Sequence, residues 1–204
     1  MFGPIEARAR RISMRVIQPI AESRISPNTL TVVGLLLNFL TAVVIGGGYL
    51  FASGVLLLFA GVFDMADGAL ARIKHASSQF GDFLDATLDR LAEASVGLGL
   101  LWHAMVKNDD IQVGLIYAVV LGSVMISYAR ARAEVLNLEC EVGIMARPER
   151  IVILAVGLIL AQVTQEFALT VILVILCLST YWTVAQRIFH VYRITHGSEQ
   201  GLNS

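Results

Sequence analysis

Long apolar stretches make up most of this chain, and they restrict its fold more than any other feature. A helix needs about 20 mostly apolar residues to cross a bilayer, where only helices and closed barrels satisfy the backbone polar groups. Of the 204 residues, 56% are hydrophobic and 15% are charged, with a mean hydropathy of +0.73. A soluble domain carries about 25% charged residues. The sequence therefore predicts an all-α integral membrane protein with six transmembrane helices, over residues 29–50, 53–74, 82–105, 111–135, 148–164 and 167–190.

The basic residues are distributed unevenly around these predicted spans. With six spans, the N-terminus, the loops after the second and fourth spans and the C-terminus share one side. All of the 15 Lys and Arg residues except Lys107 fall on that side. Because cytoplasmic loops carry the excess of Lys and Arg, we expect a multi-pass protein of the cell (inner) membrane with this side in the cytoplasm. The formal net charge of −1 argues against a nucleic-acid partner and leaves membrane lipids as the expected surroundings.

The chain divides into three predicted parts. Residues 1–26 mix isoleucines with arginines, which favours an amphipathic helix in the cytoplasmic interface over a frayed polar tail. Residues 27–193 form the six-helix domain, and residues 194–204 are expected to be a flexible tail. At the start of the first span, Asn28 and Thr29 are the predicted helix caps.

Four aspartates lie within the second and third predicted spans, where a charged group is costly and marks a functional site. Their spacing places Asp64 and Asp67 on one face of a helix, and Asp85 and Asp89 on one face of the next helix. We expect the two helices to be antiparallel neighbours whose acidic faces meet near the cytoplasmic ends. Because like charges share a small space only with cations between them, the pattern predicts an oxygen-lined site for Mg²⁺ or Mn²⁺.

A carboxylate-bound metal pair that is open to the cytosol is suited to phosphoryl transfer, since it neutralises a diphosphate and stabilises a leaving group. Two other interpretations compete with this one. A packing network with Arg72 and Arg90 is disfavoured, because the acids outnumber the arginines and unpaired buried charge is costly. A cation-transport pathway would distribute its acids over several helices near the midplane. Glu93 continues the acidic face by one turn and either supports the site or only contacts Arg90.

The residues between 64 and 89 resemble the complete signature of the CDP-alcohol phosphatidyltransferases. Eight residues stand at the signature's spacing, in the order Asp64-x2-Asp67-Gly68-x2-Ala71-Arg72-x8-Gly81-x3-Asp85-x3-Asp89. The resemblance extends over the whole chain, with an interfacial helix followed by six spans. It implies an enzyme of phospholipid biosynthesis in which an alcohol hydroxyl displaces CMP from a CDP-linked lipid. It also implies a homodimer.

The resemblance implies specific roles for individual residues. Two metal ions, Mg²⁺ or Mn²⁺, would be bound, the first by Asp64, Asp67 and Asp85. The second ion would be bound by Asp64, Asp85 and Asp89. Asp89 would also be the general base that deprotonates the acceptor alcohol. The residues implied to contact the CDP-lipid are Asn28, Thr29, Leu30, Thr31, Gly68, Ala71, Arg72 and Ser78.

Five arginines of the last three spans lie at the same level as the aspartates. Any one of them could simply extend to the lipid headgroups, but together they could bind a phosphate dianion on the acceptor alcohol. The predicted phosphate-binding residues are Arg130, Arg132, Arg147, Arg150 and Arg187.

Two acceptors in this family carry such a phosphate, inositol 1-phosphate and glycerol 3-phosphate. The strings SYARARAE, RPER, QR and DATLDR resemble those of the phosphatidylinositol phosphate synthases and their archaeal counterparts, although Arg130 and Ala146 depart from the usual residues. The resemblance thus implies transfer from CDP-diacylglycerol, or an ether analogue such as CDP-archaeol, to inositol 1-phosphate. Glycerol 3-phosphate is the alternative acceptor, and a divalent-cation transporter is a distant alternative.

Overall fold

The computed structural model describes residues 26–73 and 78–202, without the side chains of residues 27, 67–69, 71–73 and 197–202. The predicted interfacial helix over residues 1–26 lies, apart from Ser26, outside the described residues. All regular structure in the described ranges is α-helical and forms six helices. Their bounds are α1 Pro27–Gly46, α2 Leu50–Ile73, α3 Gln79–Lys107, α4 Asp110–Val135, α5 Arg147–Thr164 and α6 Phe167–Leu202.

Side-chain caps fix the starts of three helices. The Ser26 hydroxyl accepts a hydrogen bond from the Thr29 N–H at 3.2 Å, so Ser26 caps α1. The prediction of Asn28 or Thr29 as the cap is wrong, because Pro27 occupies the first turn, where its missing N–H costs nothing, and the cap precedes it. Ser78 caps α3 in the same way through the Gly81 N–H, at 3.0 Å. Asp109 caps α4.

The six helices form a closed ring. In order around it, α1 packs on α2, α2 on α5, α5 on α6, α6 on α4, α4 on α3, and α3 again on α1. The sequence predicted α2 and α3 to face each other directly. In the described part of the chain they do not pack together, and each packs on α1 instead. Their acidic side chains therefore meet across the inside of the ring.

The inside of the ring has an apolar end and a polar end. The apolar core lies where α1 and α3 end and α6 begins, and it includes the buried residues Ile45, Ala104 and Leu169. Residues from all six helices line a cavity of about 70 Å³, and core residues such as Leu57, Leu100 and Leu173 form part of its wall. Glu93 and Arg150 are among its lining residues, on the side of the acidic residues. The fold therefore places charged side chains at one end of a central space and close-packed apolar side chains at the other.

The outer surface of the ring is largely apolar, with exposed side chains such as Val43, Ile111, Val163 and Leu178. Such a surface is expected where lipid rather than water surrounds a bundle. Three helices, α1, α4 and α6, contain stretches long and apolar enough to cross a membrane. All six predicted spans coincide with observed helices, and the crossing of the membrane by all six stays a prediction.

The last helix is longer than expected. The predicted domain ends at residue 193, whereas α6 continues to Leu202, so its backbone stays helical through most of the expected tail. Thr195 takes part in this continuation, since its hydroxyl donates to the Val191 carbonyl at 3.0 Å.

Candidate active site

Three of the four predicted metal-binding aspartates come together in the structure. Asp64 is contributed by α2, and Asp85 and Asp89 are contributed by α3 at a spacing of four residues. One carboxylate oxygen from each lies within 4.8 Å of the others. Asp67 lies on α2 less than one turn after Asp64, and its side chain is outside the described residues. The spacing of four residues places Asp85 and Asp89 on one face of α3, and the fold brings Asp64 of α2 to them.

Arg147, the first residue of α5, binds these aspartates directly. Its Nη1 donates to both carboxylate oxygens of Asp64 at 2.5 Å and lies 2.7 Å from Asp89 Oδ1. Arg147 is predicted to bind the acceptor phosphate, and in this structure it lies among the predicted metal ligands. The arginine is recruited there because three carboxylates in a half-buried space need nearby positive charge.

Glu93 lies one turn beyond Asp89 and joins Arg147 to Arg150. Its Oε1 accepts a hydrogen bond from Arg150 Nη2 at 2.8 Å and lies 3.4 Å from Arg147 Nε. Arg90 contributes a further ion pair, between its Nη1 and Glu93 Oε2 at 4.0 Å. Glu93 therefore contacts Arg147 and Arg150 as well as Arg90. The sequence left open whether Glu93 supports the site or contacts only Arg90, and these contacts favour support for the site.

The other predicted phosphate-binding arginines have different surroundings. Arg187 is buried and donates to the carbonyl oxygens of Val142 at 3.0 Å and Ile126 at 2.6 Å. Arg130 is exposed and binds Glu134 at 2.8 Å and Glu141 at 2.9 Å. Arg132 is also exposed. The structure thus brings Arg147 to the aspartates and links Arg150 to Arg147 through Glu93. It holds Arg187 on backbone carbonyls and leaves Arg130 and Arg132 at the surface.

The start of α1 lies beside the start of α3, where the sequence predicted part of the CDP-lipid site. A Cβ atom placed on Gly81 would lie 3.4 Å from Asn28 Oδ1 and 3.1 Å from the Ser78 hydroxyl. Gly81 therefore allows these two predicted contact residues to come together. Thr29 is exposed there. Leu30 and Thr31 are buried. Of the remaining predicted contacts, Gly68, Ala71 and Arg72 have side chains outside the described residues.

The aspartate cluster has the composition of a divalent-metal site. Its donor atoms are all carboxylate oxygens, which suit hard cations such as Mg²⁺ and Mn²⁺. The binding of the Arg147 guanidinium to Asp64 and Asp89 demonstrates that the cluster holds positive charge. The described residues therefore fit a divalent cation held by Asp64, Asp85 and Asp89.

Some contacts at the site could not be found by reading the sequence. The carbonyl oxygens of Met145, Val142 and Ile126 bind buried arginines, and backbone groups carry no residue-type signal. Ser127 accepts a hydrogen bond from Arg90, which links α3 to α4 beside the cluster. The weak signal for Glu93 was its position four residues after Asp89.

Fold and site together define a helical, membrane-type protein with an acidic cation centre at one end of the bundle. Among known proteins, the sequence profile of the CDP-alcohol phosphatidyltransferases matches residues 24–192. The archaetidylinositol phosphate synthase of Methanothermobacter thermautotrophicus is 32% identical, over 90% of this chain and 92% of its own length. The phosphatidylinositol phosphate synthase of Mycobacteroides abscessus is 31% identical, over 93% and 89% of the two chains.

Solved structures agree with these sequence relatives. The crystal structure of Mycobacterium tuberculosis phosphatidylinositol phosphate synthase with CDP-DAG bound has a TM-score of 0.80 and 32% identity, covering 89% of this chain and 94% of that one. A second structure of that enzyme, in complex with manganese and citrate, has a TM-score of 0.77 and 29% identity, with 88% of each chain covered.

The chain belongs to the CDP-alcohol phosphatidyltransferase family. The resemblance predicted from the aspartate signature is therefore confirmed, as is the prediction that the protein is an enzyme.

Proposed function

We propose that the protein transfers a phosphatidyl group from CDP-diacylglycerol to a hydroxyl of inositol 1-phosphate and releases CMP. The observation that carries the proposal is the juxtaposition of three aspartates with the largely buried Arg147, which Glu93 connects to a second buried arginine, Arg150. Such a site offers carboxylates for cations and a base, and guanidinium groups for a phosphate-bearing acceptor. Relatives that match most of the chain are named as synthases of inositol phosphate lipids.

On the donor side, the CDP-lipid would lie beside the starts of α1 and α3. Asn28 and Ser78 are exposed there, which supports contact with the nucleotide. Thr29, Leu30, Thr31, Gly68, Ala71 and Arg72 complete the proposed set. A related enzyme with CDP-DAG bound supports this donor, and CDP-archaeol is an alternative, because the archaeal relatives are archaetidylinositol phosphate synthases.

The aspartates would hold two divalent ions. Asp64, Asp67 and Asp85 would bind one ion, and Asp64, Asp85 and Asp89 the other. Bound cations would neutralise the diphosphate and stabilise the CMP leaving group. A related enzyme solved with manganese supports a divalent requirement.

In the proposed reaction, the acceptor hydroxyl oxygen forms a bond to the lipid-linked phosphorus, and the bond from that phosphorus to the CMP oxygen breaks. Asp89 accepts the hydroxyl proton. Its half-buried position beside Arg147, one of the proposed acceptor-binding arginines, supports this role.

Arg147, Arg150 and Arg187 are the strongest candidates for binding the acceptor phosphate, because all three are largely buried and Arg147 and Arg150 line the central cavity. Arg130 and Arg132 would contribute from the surface. Glycerol 3-phosphate carries the same phosphate dianion and remains the second candidate acceptor. Family membership favours transfer over cation transport.

We also propose that all six helices cross the cell (inner) membrane, with the site facing the cytoplasm and residues 1–26 in its interface. The apolar outer surface and the asymmetry of the basic residues support this arrangement. A homodimer is proposed on the family resemblance. The domain boundaries at residues 27 and 193 are likewise proposed, with residues 194–204 following the domain.

An acceptor comparison tests the proposed function. Purified protein with CDP-diacylglycerol and Mn²⁺ should release CMP with inositol 1-phosphate at least about tenfold faster than with glycerol 3-phosphate or free inositol, because only a matching acceptor places its hydroxyl for attack. Faster release with glycerol 3-phosphate would favour the second candidate. No release above the hydrolytic background with inositol 1-phosphate would refute the proposal.

A further inference from the structure

Glu93 is a largely buried acid that lies outside the family signature and beside the proposed acceptor site. Its side chain is 17% exposed, and it faces the three arginines Arg90, Arg147 and Arg150. We propose that Glu93 is a positioning residue that holds Arg147 and Arg150 in the orientation needed to bind the acceptor phosphate. The inference rests on the proposed function.

The orientation of Arg150 depends on Glu93. The Arg150 side chain is 7% exposed, and two hydrogen bonds fix its guanidinium plane. Nη2 donates to Glu93 Oε1 at 2.8 Å, and Nη1 donates to the Met145 carbonyl at 3.2 Å. Because a guanidinium donates from a rigid planar fork, fixing two of its nitrogens determines where the remaining donors point. Among the described residues, Glu93 is the acid that pairs with Arg150.

Glu93 is also linked to the aspartates, through Arg147. Arg147 binds Asp64 and Asp89 through Nη1, while its Nε lies 3.4 Å from Glu93 Oε1. A continuous chain of charges therefore runs from Asp64 through Arg147 and Glu93 to Arg150. Because Glu93 lies on α3 and both arginines lie on α5, this carboxylate joins two helices that do not pack on each other in the described residues.

Glu93 has hydrogen-bonding capacity that this arrangement does not use. Its Oε2 and the Arg147 Nε are both buried and make no hydrogen bond to the described residues. A small rotation of the Arg147 guanidinium would align Nε with Glu93. Glu93 can therefore hold Arg147 through Nε while the Arg147 Nη1 leaves the aspartates and binds an acceptor phosphate. Loss of the Glu93 charge should weaken acceptor binding more than the chemical step.

The test compares Glu93→Gln and Glu93→Asp with the wild type in steady-state kinetics with CDP-diacylglycerol and Mn²⁺. For Glu93→Gln, which keeps the size but loses the charge, the KM for inositol 1-phosphate should rise on the order of tenfold to 100-fold, as expected for a displaced binding group. The kcat and the KM for CDP-diacylglycerol should change less than about threefold. Glu93→Asp keeps the charge and should give an intermediate acceptor KM.

Glu166→Gln is the matched control. Glu166 has a similar exposure of 20% and contacts His103 and Lys107 at 3.2 and 3.1 Å. It lies near the far end of α3, because Lys107 is 18 residues after Asp89, about 27 Å along the helix. Glu166→Gln should lower thermal stability without raising the acceptor KM.

An unchanged acceptor KM in Glu93→Gln would overturn the inference, as would an equal fall in kcat with no change in KM. The inference would also be overturned if Glu93→Gln and Glu166→Gln raised the acceptor KM alike, each together with a fall in the thermal midpoint. Absence of CMP release by the wild type with inositol 1-phosphate is a different result and refutes the proposed function. In that event the KM for glycerol 3-phosphate is compared in the same variants and decides the role of Glu93. Absence of CMP release with both acceptors overturns the proposed function and the role of Glu93 together.

Discussion

Arg130 and Arg150 are both ion-paired arginines, but their pairs differ in burial and should therefore contribute very differently to stability. Arg130 is 48% exposed and pairs with two surface glutamates. Arg150 is buried and pairs at 2.8 Å with Glu93, which is itself only 17% exposed. Removing one partner of a buried pair leaves an uncompensated charge, whereas an exposed pair contributes little because water screens it.

We predict that Arg150→Ala destabilises the protein by about 3 kcal/mol, since Glu93 would keep only the more distant Arg147 and Arg90. Arg130→Ala should cost about 0–1 kcal/mol. Thermal unfolding of the two variants in the same detergent measures the difference. Equal losses of stability would contradict the description of the two pairs.

Sequence reasoning succeeded with the aspartates and not with the arginines for a physical reason. A spacing of four residues fixes Asp85 and Asp89 on one helical face whatever surrounds them. The orientation of Arg147 depends on how α5 packs in the ring, and local spacing contains no such information. The grouping of Arg147, Arg150 and Arg187 apart from Arg130 therefore required tertiary structure.

At the scale of helices, close packing between α2 and α5 connects the two helices that contribute Asp64 and Arg147. A Cβ atom on Gly54 would lie 2.7 Å from the Ala155 carbonyl oxygen, nearer than van der Waals contact allows. The glycine is thus needed for the close approach of the two helices.

Gly54→Ala should push α2 and α5 apart, cost about 1–3 kcal/mol of stability and reduce CMP release, because Asp64 would move relative to Arg147. Gly34→Ala is the control, since a Cβ there meets no atom of the described residues within 4 Å. It should be neutral or stabilising by up to about 1 kcal/mol. Thermal unfolding and activity of both variants test the contact, and a Gly54→Ala protein that matches Gly34→Ala would contradict it.

The helices themselves were well predicted, and their arrangement was not. Except at the end of α6, apolar runs determined the boundaries to within a few residues, for example 111–135 for the observed Asp110–Val135. The order of helices around the ring depends on complementary surfaces such as Gly54 against Ala155, and a short connection between α2 and α3 does not require that they touch. For the same reason, the expected direct pairing of α2 with α3 is absent from the described residues.

At the scale of the whole molecule, two turns should lie on opposite sides of the membrane. Asn108 follows α3 and Asn137 follows α4, and both are exposed with a positive φ, 55° and 57°. They therefore provide a matched pair of labelling sites with similar backbone geometry.

We predict that Asn108→Cys reacts with a membrane-impermeant maleimide in intact cells, whereas Asn137→Cys reacts only after permeabilisation. Both variants are made with Cys140 and Cys177 replaced by Ser. The opposite pattern would reverse the proposed orientation, and labelling of both sites from outside would contradict the six-span arrangement.

The most direct test concerns the aspartate cluster as a divalent-metal centre for phosphatidyl transfer. CMP release from CDP-diacylglycerol is measured with purified wild type and Asp85→Asn, each with EDTA and then with excess Mn²⁺. The wild type should lose activity in EDTA and regain it with Mn²⁺, and Asp85→Asn should stay at least about 100-fold less active at an unchanged thermal midpoint, because Asp85 is proposed to bind both ions. EDTA-resistant release, or an Asp85→Asn protein as active as the wild type, would contradict this account.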